Sequence, residues 1–444
     1  MLRSEIHSGC RVGFFGIGRS NIALMQNLPL EKCLITLRSD ERIDRSALPQ
    51  GMRVERIFEG KEAYKSIDED ILFFSPSVKR ERQELCEAKR RGVRFSSDAE
   101  LFFKENARPV LAVTGSDGKS TTATLINLML NEAGRRSRLI GNIGEPMISG
   151  LDSDAECFVT ELSSFMLKYL SPRVERACIT NITPNHLDWH ESFEEYKKTK
   201  ISLLKNSEKF VVSEEISYIA GAFGIISDSR TYGELKGKYS AEVYLTSEDG
   251  YILKNGERLI ALSDVRRREK HNIRNLMMAI AMTDGYVGTS EIATVARNFG
   301  GLSHRCEVVL QRGGVDYIDS SIDSTPARTA QTLRSLDREV IIILGGRGKG
   351  LDFCELVPSL KKYARGALIV GENAEEINRA IDGDVPCEIV SDFEDAVRRG
   401  VLLAKDVGTL LLSPASTSFD QFKNYAERGD KFKEILLKNQ RFDN

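Results

Sequence analysis

Short apolar runs alternate with amphipathic stretches along most of the chain. Arg11–Phe15, 34–37, Ile71–Phe74 and 109–114 read as strands, and 21–28, 80–91 and 121–133 as helices. The same alternation returns late in the chain, with strands at Val340–Leu344, 366–370 and Thr409–Leu412 between helical segments. Strands alternating with helices predict parallel sheets covered on both faces, an α/β fold. Three such units are expected, at 1–106, 107–302 and 303–444. The stretch 241–262 breaks the pattern. Short strands at 242–245 and 251–253 flank Glu248-Asp249-Gly250, and Asn255-Gly256 offers a second turn, so a small antiparallel element is expected inside the second unit.

Bulk composition narrows the class. The 444 residues exceed one ordinary core and suggest two to four domains. A formal net charge of -2 gives no electrostatic reason to bind nucleic acid or an anionic membrane. Eight scattered cysteines include no Cys-x-x-Cys pair, which argues against a zinc site or a disulfide framework. The polar start MLRSEIHSGC lacks a signal-peptide core, and no apolar run reaches the roughly 18 residues of a membrane span. A cytoplasmic protein with reduced thiols is expected.

The strongest chemical signal is Val113-Thr114-Gly115-Ser116-Asp117-Gly118-Lys119-Ser120-Thr121, which follows an apolar strand and opens a helix. Glycines allow a tight turn whose N–H groups point at phosphate oxygens, and the helix N-terminus adds its positive end. Lys119 suits the outer phosphates and the Ser120 hydroxyl suits Mg²⁺. The usual loop carries a glycine six residues before the lysine; here that position is Val113, so the loop is a shorter variant. Gly16-Ile17-Gly18 also follows a strand, but Asn21 stands at the third glycine of a dinucleotide fingerprint. It fits a nucleotide sugar as well as it fits tight strand–helix packing. NAD is a poor match, because the second strand ends in Arg38, Ser39 and Asp40 without one clear ribose-binding acid.

Glu161 follows the strand 157–160 in Glu-Leu-Ser-Ser-Phe. A carboxylate at a strand end beside a phosphate loop can hold Mg²⁺ or simply favour a helix N-terminus. His186 lies in Asn-Ile-Thr-Pro-Asn-His-Leu-Asp-Trp-His after the strand 177–180; by its chemistry it is an unusual Mg²⁺ ligand. Asp188 and His190 suit local caps. Lys197, Lys198 and Lys200 follow Tyr196 on a short helix, where most lysines sit in water.

Taken in order, these motifs resemble the Mur ligase family. The matching segments include Ser75-Pro76, 97–102, 114–121, Gly141-Asn142-Ile143-Gly144, 161–165, 181–190, His271-Asn272 with Asn275, His304-Arg305-Cys306-Glu307, Leu344-Gly345-Gly346, Lys349-Gly350 and 411–432. The last, LLSPASTSFDQFKNYAERGDKF, best separates the branch that adds D-glutamate. The resemblance implies a Rossmann-like first domain for the UDP part of UDP-N-acetylmuramoyl-L-alanine and a central P-loop-type ATPase domain. It implies a Rossmann-like third domain that binds D-glutamate and closes over ATP. The implied reaction activates the L-alanine carboxylate as an acyl phosphate, which the amine of D-glutamate then attacks. It assigns ATP to Gly115, Ser116, Asp117, Gly118, Lys119, Ser120, Thr121, Asn272, Asn275 and Arg305. It assigns two Mg²⁺ ions to Ser120, Glu161, His186 and Lys200, with Lys200 carbamylated. Gly16, Gly18, Arg19, Ser20, Arg38, Ser75, Asn142 and Ser163 would hold the UDP substrate. Ser324, Thr325, Lys349, Ser418 and Tyr425 would face D-glutamate. A monomer is implied, with no nucleic acid and no membrane span.

Some positions depart from the family pattern. Asn185 precedes the histidine where aspartate is usual, Met166 replaces glutamine, and Ser303 replaces proline. Ser321 stands where lysine is expected, and Arg347-Gly348 where an aspartate is usual. Two other readings stay open: a Mur-family or folylpolyglutamate synthase-like ligase of different specificity, and a non-catalytic nucleotide-binding paralogue. The Gly16-Ile17-Gly18 unit and the C-terminal segment argue against the folate case. Keeping Lys119, Glu161, His186 and Lys200 together argues against a pure binder.

Overall fold

The computed structural model describes residues 3–187, 189–213, 215–216, 230–231, 245–348 and 351–438. Asp188, Lys349, Gly350 and 242–244 lie outside the described residues. Two compact units divide the chain, Met1–Phe299 and Gly300–Asn444. All eight cysteines are free, and among the described residues no helix is long and apolar enough to cross a membrane.

The first unit holds two parallel sheets. One is made of β1 (Arg11–Phe15), β2 (Leu34–Ser39), β3 (Arg56–Glu59), β4 (Ile71–Phe74) and β5 (Arg94–Ser96), in the order β3-β2-β1-β4-β5. This is the strand order of a dinucleotide-type half, reversing direction beside β1. Its apolar runs are buried on both faces: Phe14 stacks on Phe73 at 5.5 Å and Phe15 on Phe74 at 5.9 Å. The second sheet contains β6 (Val110–Thr114), β7 (Ser137–Gly141), β8 (Cys157–Glu161), β9 (Val174–Ile179), β10 (Ser207–Val212) and β11 (Arg230–Thr231), in the order β11-β10-β9-β6-β8-β7. The central strand β6 is buried throughout. The helix Lys119–Glu132 buries Leu125, Ile126, Met129 and Leu130 in the same core. Each such aliphatic side chain contributes about 1.5–3 kcal/mol relative to exposure.

The antiparallel element consists of β12 (Leu245–Glu248), β13 (Tyr251–Lys254) and β14 (Glu257–Ala261). Both expected turns are present, with positive φ at Asp249, Gly250, Asn255 and Gly256, as two-residue primed turns require.

The second unit has β15 (Glu307–Arg312), β16 (Val315–Asp319), β17 (Val340–Leu344), β18 (Ala364–Ile369), β19 (Cys387–Ile389) and β20 (Thr409–Leu412). Their order is β15-β16-β20-β17-β18-β19, with β15 the antiparallel edge. The β15–β16 hairpin is not among the elements read from the sequence; its strands carry charges that blur the apolar pattern.

Candidate active site

Register brings the chemistry of the first unit together. Val113 pairs with Glu161 across β6–β8, and Thr114 with Ile179 across β6–β9. Three loops therefore leave the carboxyl ends of adjacent strands side by side, where the strand order reverses and α/β sheets bind ligands. Hydrogen bonds stitch them together. Ser116 N donates to Asn181 O at 2.9 Å, and Thr183 N donates to Ser116 Oγ at 2.9 Å. Asp117 N donates to Asn181 Oδ1 at 2.9 Å, and Thr180 Oγ1 to Asp117 O at 2.5 Å.

The loop needs its glycines. Gly118 sits at φ 76° as the cap of the helix Lys119–Glu132, and a Cβ there would lie 2.3 Å from Asn275 Oδ1. At Gly115, φ 145°, a Cβ would lie 1.9 Å from Thr180 Oγ1. Asn275 thus faces the loop itself. Asn272, on the same helix Lys270–Met282, donates to Glu269 Oε2 at 3.0 Å. Lys119 arches back so that Nζ donates to Ser116 O at 2.6 Å.

Glu161 is 1% exposed. Its Oε2 accepts from Ser120 Oγ at 2.7 Å and its Oε1 from Asn142 Nδ2 at 2.6 Å. A buried carboxylate beside a hydroxyl forms a hard oxygen donor set that fits Mg²⁺. Lys200 is also 1% exposed. Its Nζ donates to Gly115 O at 2.7 Å and lies 4.7 Å from the centre of the Tyr196 ring. Burial holds its pKa well below the usual lysine value; Lys119 adds to the effect, while Glu161 and Asp117 oppose it. The Tyr196 hydroxyl shares a 2.9 Å hydrogen bond with Ser116 Oγ. Tyr196, Thr180 and Asn181 contact the loop directly, an arrangement that only the fold reveals.

His186 sits at φ 54°, exposed, with its ring 4.8 Å from Phe165. Its N–H donates to Asn185 Oδ1 at 2.9 Å, a bond an aspartate would also accept, so Asn185 keeps the contact and loses the charge. The one group of three His, Cys, Asp or Glu side chains with metal-like spacing among the described residues is His304, Glu307 and Asp319 in the second unit. There His304 Nδ1 is 2.7 Å from Asp319 Oδ2, and the Lys433 ammonium is 2.9 Å from Glu307, so a resident cation already balances the acids.

A cleft of about 660 Å³ lies between the two parallel sheets of the first unit. Gly16, Gly18, Arg19, Ser20, Ser75, Asn142, Ser163 and Met166 line it. Gly16 is fixed by Ser75 Oγ, which donates to its carbonyl at 2.7 Å. Arg38 does not reach this cleft. It is fully buried, bonded to Glu69 and to the carbonyls of Ala63, Lys65 and Ser66, so its donors are spent on the fold. The expectation that it contacts substrate is corrected accordingly.

In the second unit the loops after β17 and β20 are joined. Arg347 N donates to Thr417 O at 2.9 Å, and Gly346 N to Asn373 Oδ1 at 3.0 Å. Ser418 is buried; Tyr425 is exposed, its ring 6.1 Å from that of His304. Thr325 caps the helix Pro326–Leu336, with Ser324 just before it. Arg305 is exposed. Where a lysine was expected, Ser321 Oγ accepts from Arg428 Nε at 2.9 Å, and Arg428 Nη2 donates to Ser321 O at 2.9 Å. A guanidinium from the last helix thus supplies positive charge at that position. Arg347 pairs with Glu372 at 2.9 Å on the surface.

Fold and site define an α/β protein of the phosphate-loop class. The sequence model of the Mur ligase middle domain matches residues 113–283, and that of the Mur ligase glutamate ligase domain matches 304–416. The UDP-N-acetylmuramoylalanine–D-glutamate ligases of Ruminiclostridium cellulolyticum and Acetivibrio thermocellus are each 33% identical over 96% of this chain and 96% of their own. That of Clostridium beijerinckii is 32% identical over 97% of both. The chain belongs to the Mur ligase family. Among solved structures, the UDP-N-acetylmuramate–alanine ligase of Thermotoga maritima shares the fold across 97% of this chain and 99% of its own, with a TM-score of 0.58 at 17% identity. The folylpolyglutamate synthase of the same organism covers 76% of this chain and 91% of its own, with a TM-score of 0.54 at 11% identity.

Proposed function

We propose that this chain is the cytoplasmic ligase that joins D-glutamate to UDP-N-acetylmuramoyl-L-alanine in peptidoglycan precursor synthesis. The observation that carries the reading is the convergence of Lys119, Ser120, Glu161 and Lys200 on one loop, in a chain one-third identical to ligases of that name over nearly its whole length. The three segments 1–106, 107–302 and 303–444 take the UDP substrate, ATP and the amino acid in turn. ATP supplies the phosphoryl group that makes the alanine carboxylate a good electrophile.

The chain's own groups do the positioning. Gly115, Ser116, Asp117, Gly118, Ser120 and Thr121 present the phosphate cradle and Lys119 neutralises it. By family resemblance Asn272 and Asn275 are assigned to the base and Arg305 to the outer phosphates. Ser120, Glu161, His186 and a carbamylated Lys200 hold Mg²⁺. Carbamylation suits Lys200 because burial favours the neutral amine, whose lone pair adds to CO₂. The N–C bond forms as one C=O π pair of CO₂ moves onto oxygen, one N–H proton leaves, and the neutral amine becomes a carboxylate-like ligand. Gly16, Gly18, Arg19, Ser20, Ser75, Asn142 and Ser163 line the UDP-substrate cleft. Ser324, Lys349, Ser418 and Tyr425 serve D-glutamate.

The test is to incubate the pure protein with UDP-N-acetylmuramoyl-L-alanine, ATP, Mg²⁺ and a panel of amino acids, reading products by mass spectrometry. Ligation with D-glutamate alone, with ADP and phosphate released, is the expected result. Product with a different amino acid overturns the specificity, and bound nucleotide without ADP release overturns the activity.

A further inference from the structure

Arg19 opens the helix Arg19–Asn27 on the N-terminal sheet's side of the cleft, yet its guanidinium is spent on the other sheet's loop. Nη1 donates to Gly144 O at 2.8 Å, and Nη2 to Gly141 O at 2.6 Å and Asn142 O at 3.1 Å. That loop has little freedom. Gly141 and Gly144 have φ of 107° and 72°; a Cβ on the first would lie 2.6 Å from Glu161 O, and on the second 2.1 Å from Leu139 O. The fixed turn aims its carbonyls at Arg19 and its one amide side chain the other way, where Asn142 Nδ2 meets Glu161 Oε1 at 2.6 Å. The opposite oxygen of Glu161 takes Ser120 Oγ at 2.7 Å. A continuous path of hydrogen bonds therefore runs from the cleft loop at Gly18-Arg19 to the first turn of the phosphate-loop helix.

We propose that Arg19 is a positioning residue for the phosphate-loop centre: by holding the 141–144 loop it sets Asn142, which orients the Glu161 carboxylate for a divalent cation. The inference rests on reading Glu161 as a cation ligand. The acceptors are three neutral carbonyls spread over one turn, which a planar fork of N–H donors can engage together and a lysine ammonium cannot. A partner that orients a ligating carboxylate commonly changes metal affinity by about 10–100-fold when removed. This role differs from binding substrate, although Arg19 also lines the cleft.

The experiment measures Mn²⁺ bound by the full chain with a non-hydrolysable ATP analogue, reading free Mn²⁺ by electron paramagnetic resonance, so that ligation is not needed. R19M and N142A should each weaken Mn²⁺ binding by on the order of tenfold, and the double variant by little more than either, since both act through one carboxylate. R19K should fall between wild type and R19M, and guards against a misfolded R19M. E161Q separates the two ideas. If E161Q leaves Mn²⁺ affinity unchanged, the reading of Glu161 as ligand fails. If E161Q destroys it while R19M leaves it unchanged, the positioning role of Arg19 is overturned, even where R19M lowers the melting temperature or raises KM for the UDP substrate.

Discussion

Two almost completely buried cations, one from each unit, behave in opposite ways. Lys200 in the first unit is 1% exposed and Arg428 in the second is 2% exposed. Desolvation drives the lysine well below its usual pKa. The same force lowers the arginine only to about 10, against the pull of Asp420, Asp319 and Asp323, so it stays charged at neutral pH. An ammonium is a compact, strongly hydrated charge that releases its proton when water is removed. A guanidinium is delocalised, less hydrated and rich in donors, and Arg428 donates from Nε to Ser321 Oγ and from Nη2 to Ser321 O and Ser416 O. Burial thus biases the lysine at the phosphate loop toward its neutral form and leaves the arginine a charged brace in the second unit. Arg38 belongs with the brace: it is fully buried and bonded to Glu69.

The largest expected effect falls on Lys200. K200M should cut ADP formation by on the order of a hundredfold or more, the scale of losing one preorganised charge at a reacting centre. Stability should not suffer, because a desolvated amine is removed. The sign follows from linkage. The folded state binds its proton more weakly than the unfolded chain, so wild type gains stability as pH rises from the depressed folded pKa toward roughly 10.4, by at most about 1.4 kcal/mol per pH unit. K200M should flatten that slope in urea melts between pH 7.5 and 10 in CO₂-free buffer. A slope unchanged by K200M would mean Lys200 stays protonated, and the contrast with Arg428 would collapse.

R428M should act in the other direction, on folding before chemistry. It leaves the carbonyls of Ser321 and Ser416 buried without their donor, at about 1–3 kcal/mol each. A loss of about 3 kcal/mol in the second unit, read by hydrogen exchange at β16 and β20, is expected, and R428K should not restore it because an ammonium lacks the fork. Full protection in R428M would show that the arginine is held for ligand chemistry instead.

The two cations also differ in how legible they were. Lys200 could be singled out, because a local motif of strand, glycine loop and helix marks the phosphate site and the family resemblance places this lysine beside it. Short apolar runs made several strands legible to the residue, including Arg11–Phe15, Ile71–Phe74 and Thr409–Leu412, and the strand that enters the loop, Val110–Thr114, was read as 109–114. Arg428 gave no such signal: its partner Ser321 is 107 residues away, and no spacing rule links a last helix to a loop after β16. Arg38 was misjudged for the same reason. Its position after a strand suggested a ligand contact, and only the fold shows the carbonyls that enclose it.

The smallest effect concerns a buried anion, and it tests whether backbone groups alone can do for a carboxylate what they fail to do for Lys200. Asp98 ties the helix Asp98–Glu105 to the start of the helix Ile148–Leu151: Oδ1 accepts from Ile148 N at 2.7 Å and Oδ2 from Met147 N at 3.0 Å. Burial still outweighs both bonds and the nearby Arg19, raising its pKa to about 6. A raised carboxylate favours the fold below its unfolded pKa of roughly 3.9, and that contribution is lost as pH climbs through about 6. D98N does not titrate. The unfolding free energy of wild type relative to D98N should therefore rise by about 1.4 kcal/mol as pH falls from 7 to 5. A gap that stays flat across that range would show that two backbone N–H groups hold the carboxylate ionised. The joint would then be insensitive to pH, and desolvation would rule the buried ammonium but not the buried carboxylate.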